Sequence, residues 1–156
     1  MRAGPRTGST GFTAIEVLIA LAILGVLASL AYSRYTDYTE RVRVSTASTD
    51  INAIAFLVVQ YNLDNRRFPD SLADVRQDSK LDPWGRPYAY FNLTTSKGNG
   101  KARKDKQLNP LNSDFDLYSV GKDGNSSASL QAKNSRDDVV RARDGRFVGL
   151  ASDFDP

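Results

Sequence analysis

The chain has 156 residues with no cysteine and no histidine, which removes thiol chemistry, imidazole acid–base work, the usual zinc sites and disulfides. Any metal must be a hard cation held by oxygens. The formal charge is +3, but Arg2 and Arg6 stand in the first eleven residues with no acid. Without those two, 19 basic residues face 18 acidic ones, a net of +1, so charge gives no argument for nucleic acid as a partner.

The first predicted element is an apolar helix. A short basic segment, MRAGPRTG, precedes GFTAIEVLIALAILGVLASLAY, and between Phe12 and Tyr32 the only charged side chain is Glu16. A hydrocarbon core of about 30 Å needs roughly 20 such residues in helix, so this run spans or inserts. A secretory signal would place its small-residue cleavage site after the apolar segment. Here the candidate glycine, Gly11, stands before it, so cleavage there would retain the helix. The basic leader would stay cytoplasmic and the C-terminal part would lie outside. A carboxylate in lipid costs at least about 2.5–3.5 kcal/mol on insertion scales, which asks for a partner for Glu16.

Gly11-Phe12-Thr13-Ala14-Ile15-Glu16 followed by an apolar helix resembles the processing motif of the type IV pilin and pseudopilin class, with Ala14 where leucine is usual. The resemblance implies cleavage between Gly11 and Phe12 and N-methylation of Phe12 by a prepilin peptidase. It also implies polymerisation into a helical filament, in which Glu16 would pair with the amino group freed at Phe12 of a neighbouring copy. Many members of the class carry a proline where this chain has Ser33, 21 positions after Phe12.

Beyond Tyr32 the pattern becomes amphipathic, with Tyr35, Tyr38, Val42, Ile51, Ile54, Val58 and Tyr61 at spacings of three and four. No proline interrupts residues 12 to 67. A helix from about Thr13 to about Asn62 would be roughly 75 Å long, with Asn62, Asp64 and Asn65 suited to end it. The expected organisation is a leader at 1–11, a long helix at 12–62 whose 12–32 part is transmembrane, and a globular α+β domain at 63–156. In that domain Pro69-Asp70-Ser71-Leu72 suits a turn opening a short helix with Asp70 as cap. Asp82-Pro83-Trp84-Gly85 has type I turn chemistry, with Trp84 as a packing anchor. Residues 88–93 alternate as a strand, a second strand is expected within 114–124, and Asp144-Gly145 is a two-residue hairpin signal promising added strands. The five basic residues from Lys97 to Lys106 lack stacking aromatics and read as a mobile, solvated loop.

Tyr61-Asn62-Leu63-Asp64-Asn65 with Arg67-Phe68-Pro69, then DPWGRPY at 82–88 and DLYSVGKDG at 116–124, resemble the major pseudopilin of type II secretion systems. That family packs a long N-terminal helix on a small antiparallel sheet and binds structural calcium in a C-terminal loop. Carried over residue by residue, the resemblance implies calcium held by the Val120 backbone carbonyl and the side chains of Asp123, Asp137 and Asp138. The spacing is not that of an EF-hand. Closing the long loop 121–138 would offset its ordering entropy. The family's partners are further copies of the chain, prepilin peptidase, minor pseudopilins and an inner-membrane secretion platform, with the C-terminal domain periplasmic. The runner-up is a type IV pilus subunit for adhesion, motility or DNA uptake, although such pilins often close their C-terminal region with a disulfide. A membrane-tethered enzyme or binding domain is disfavoured, since the chain has no P-loop and no GxSxG.

Overall fold

The computed structural model describes residues 11–95 and 101–155. Helix α1 runs unbroken over Ala14–Asn65, 52 residues, and continues through Gly25 and Ser33. It ends three residues beyond the sequence expectation because Asn65 donates its side-chain amide to the Tyr61 carbonyl at 2.9 Å. Arg66 then turns left-handed at φ 58°, a usual way to stop a helix. By contacts the chain divides into two units, residues 1–39 and 40–156. The first is helical from Ala14 onward, and its apolar side chains, from Phe12 through Leu30, are exposed. α1 is long and apolar enough at its N-terminal end to cross a membrane.

In the second unit four strands form one antiparallel sheet in chain order: β1 (Ala89–Asn92), β2 (Phe115–Ser119), β3 (Val139–Ala142) and β4 (Phe147–Leu150). β1 and β2 are the strands the alternation predicts, and β3–β4 is the predicted C-terminal hairpin. Pairing of Tyr90 with Leu117, Tyr118 with Val140, and Arg141 with Val148 fixes the register. Alternate residues therefore divide between two faces. One face, with Phe115, Leu117 and Val139, packs on Ala47, Ile51, Ile54 and Val58 of α1. Their spacing of four, three and four residues makes one helical stripe. The stripe runs back through Ala47 to Val44, whereas Val42 and Tyr38, included in the sequence pattern, are exposed. They share the spacing but not the phase.

The opposite sheet face is covered as well. Val140 and Ala142 pack with Leu111, Leu130 and Ala151, flanked by Tyr118, Phe147 and Phe154. The long connections thus form a third layer over the sheet. Two local expectations are corrected. The cap of the short 3-10 helix Leu72–Val75 is Ser71, not Asp70. The Asp74 carboxylate accepts the Asp70 and Ser71 N–H groups, leaving the Asp70 side chain to pair with Arg67. The β3–β4 connection spans 143–146, four residues rather than two. Its Asp144 is held by Ser113, whose N–H and hydroxyl donate to the Asp144 carboxylate at 2.7 and 3.0 Å.

Candidate functional sites at the helix start and the C-terminal loop

The helix start is built by Thr13 and Glu16. The Thr13 N–H and hydroxyl both donate to Glu16 Oε2 at 2.8 Å. The Glu16 N–H donates back to the Thr13 hydroxyl at 3.3 Å. This is a reciprocal capping box, with the carboxylate at the positive end of the helix dipole. The signal was present in the sequence as T-x-x-E ahead of an apolar run, and it adds Thr13 to the residues that matter here. Among the described residues nothing donates to Oε1. Gly11 and Phe12 precede the helix, both exposed, and the junction between them stands outside regular secondary structure.

The second site joins two stretches far apart in sequence. The Asp82-to-Gly85 turn closes by Gly85 N–H donating to the Asp82 carbonyl at 2.9 Å. Asp82 Oδ1 accepts the N–H groups of Trp84 and Arg86 at 3.0 and 2.8 Å. Its Oδ2 accepts the Ser119 hydroxyl at 2.5 Å, and the Ser119 oxygen in turn accepts the Gly121 N–H at 3.1 Å. Arg86 then reaches over the following loop, Nη1 donating to the Gly121 carbonyl at 2.8 Å. Asp82 is 5% exposed and Ser119 fully buried, so the network is shielded from competing water. Trp84 packs against the α1–sheet core, as expected of an anchor.

Of the four residues expected to hold calcium, two come together. The Asp123 N–H donates to Asp137 Oδ2 at 2.8 Å. Both residues line a cavity of about 680 Å³ with Glu40, Lys122, Lys133 and Arg136. Val120 follows β2, half-buried, and the carbonyls that receive a cationic group are those of the next two residues. Asp138 points elsewhere. It is fully buried and pairs with Arg103, Nη2 to Oδ2 at 2.6 Å, while Ser126 donates to the same oxygen. Burial pushes the Asp138 carboxyl above the ordinary range, and the Ser126 hydroxyl and Arg103 oppose that rise. The Arg103 guanidinium also lies over the Tyr118 ring, 4.2 Å from its centroid. Among the described residues no three Asp, Glu, His or Cys side chains stand together as a metal centre. Two guanidinium groups reach the 121–138 loop, Arg86 at the Gly121 carbonyl and Arg103 at Asp138. Arg103, read in the sequence as part of a solvated basic run, is a core residue; Lys97 of that run lies outside the described residues.

Residues 6–32 match the family model of the prokaryotic N-terminal methylation motif. The matched stretch includes the Gly11–Phe12 junction, the Thr13–Glu16 box and the exposed apolar half of α1. A prepilin motif of this kind, with such a helix, supports a membrane-anchored, type IV pilin-like structural subunit in general. It implies processing by a prepilin peptidase and assembly into a filament. Neither the curated proteins nor the solved structures gave a match to the chain.

Proposed function

We propose that this chain is the major filament subunit of a type II secretion system, held in the inner membrane by its uncut helix. On this reading it polymerises into a periplasmic filament that drives folded proteins across the outer membrane. The observation that carries the reading is the Asp82–Ser119–Gly121 chain of hydrogen bonds. The two stretches by which the sequence resembles the major pseudopilins, DPWGRPY and DLYSVGKDG, are the two sides of this one contact. The methylation motif by itself is common ground with type IV pilus subunits.

In assembly, Glu16 has two separable roles. Its Oε2 caps the chain's own helix, which leaves Oε1 to receive the methylated ammonium of a neighbour's Phe12 after cleavage. Glutamine at this capping-box position retains the cap but not the charge. In a strain lacking the endogenous gene, the wild-type chain restores secretion of folded exoproteins. Glu16→Gln is expected to accumulate as processed subunit in the inner membrane without forming filaments. Normal filaments from Glu16→Gln would remove the charge-pairing role. Long surface fibres with no effect on secretion would favour the pilus subunit instead.

A further inference from the structure

The guanidinium of Arg86 sits in the curl of residues 121–124. Its Nη1 donates to the Gly121 carbonyl at 2.8 Å and extends to the Lys122 carbonyl at 3.5 Å. Gly124 has φ +72°, and a Cβ built on it would fall 2.5–2.6 Å from the guanidinium atoms, so the loop is moulded around that group. Across the same loop Gly121 is pressed to the Asp137 backbone: a Cβ there would lie 2.2 Å from the Asp137 carbonyl oxygen. Two carboxylate oxygens of the loop accept its own backbone N–H groups. Asp137 Oδ2 accepts the Asp123 N–H, and Asp123 Oδ1 accepts the Asn125 N–H at 2.7 Å. Asp138 is fully buried, its Oδ2 paired with Arg103 and its Oδ1 without a hydrogen-bond donor among the described residues. Lys122, Lys133 and Arg136 share the cavity with Glu40, Asp123 and Asp137, so the side-chain charges around it already balance.

We propose that in this chain Arg86 serves as the built-in cation of the 121–138 loop, and that the loop closes without a bound metal ion. A divalent cation would need carboxylates and carbonyls converging on one point. Here the carbonyls converge on a planar guanidinium with fixed donors, while one of the expected carboxylates is withdrawn into the core. An arginine brace is part of the covalent chain and requires no ion from the medium. The loop's order is then independent of calcium concentration. This proposal does not depend on the secretion reading, and its failure would leave that reading standing.

The test uses the full chain in detergent, comparing EGTA with millimolar calcium. In the wild type the thermal midpoint and the amide exchange of residues 121–125 are expected to be the same in both. In Arg86→Gln, exchange of those amides should accelerate tenfold or more, and trypsin should cut after Lys122 faster by a similar factor, with no rescue by calcium. Should that variant fail to fold, Arg86→Lys replaces it, keeping a point charge but losing the planar fork, with exchange at least threefold faster. A wild-type midpoint raised by calcium, or a loop unaffected by the Arg86 substitution used, would overturn the proposal.

Discussion

At Gly121 the chain passes through φ +65° with its Cα against the Asp137 carbonyl. Both the dihedral and the missing space exclude a side chain. Gly121→Ala should cost about 2–4 kcal/mol, read as a lower unfolding midpoint of the full chain in detergent, with the loop amides losing protection first. Asp144 is a second residue with a specific load. Burial alone would raise its carboxyl, but the Ser113 N–H and hydroxyl, with Arg141 nearby, hold it below the ordinary value of 3.8. A lowered folded-state value means the unfolded chain takes up the proton first as the pH falls. The stabilisation is thus complete above about 3.8 and is lost as acid carries the pH down through the folded value. Asp144→Asn keeps the left-handed turn, since asparagine tolerates φ near the observed 56°. It should cost about 1 kcal/mol at neutral pH, with the gap to wild type closing under acid conditions. A gap constant from neutral to strongly acid pH would show that the carboxylate charge does not hold this turn.

Among the elements, the buried Arg103–Asp138 pair binds the segment before β2 to the start of β3, with side chains 3% and 0% exposed. Removing one partner leaves a charge stranded in the core. Asp138→Asn or Arg103→Met alone should therefore destabilise by about 3–5 kcal/mol, while replacing both with apolar residues should recover much of the loss. Chemical denaturation of the four species in a double-mutant cycle reads the coupling. Equal and additive losses would mean that the pair is not a unit. Such pairs also mark where the sequence stopped being legible. Local chemistry suffices for the DPWG turn, because Asp, Pro and Gly fix it without help from elsewhere. It suffices for the Thr13–Glu16 cap too. An arginine among lysines, by contrast, carries no sign that the fold will bury it. A second aspartate next to another carries no sign of which of them will turn inward. Those choices are made by tertiary packing, since Arg103 and both aspartates lie outside the strands, where no period marks a buried position.

For the molecule as a whole, the long helix and the antiparallel α+β fold were legible because they rest on periodicity. The third layer over the sheet was not, because Leu111, Leu130 and Ala151 come from irregular connections with no period to read. The phase of α1 was only partly legible, and it separates folding from assembly. Ile54 is 1% exposed against the sheet, whereas Phe56, two residues on, is 69% exposed on the same helix. Ile54→Ala should lower the stability of unit 40–156 by about 2–5 kcal/mol through the cavity it leaves. Phe56→Ser should change it by no more than about 0.5 kcal/mol, having no core contact to lose. The measurement is near-ultraviolet circular dichroism of the full chain in detergent, where Trp84 and the buried Tyr88 report the core. An Ile54→Ala midpoint equal to wild type would mean that the helix stripe at 47–58 does not hold the sheet. With both melts in hand, a filament defect in Phe56→Ser cannot be assigned to unfolding. It would report a contact between copies through the exposed face of α1.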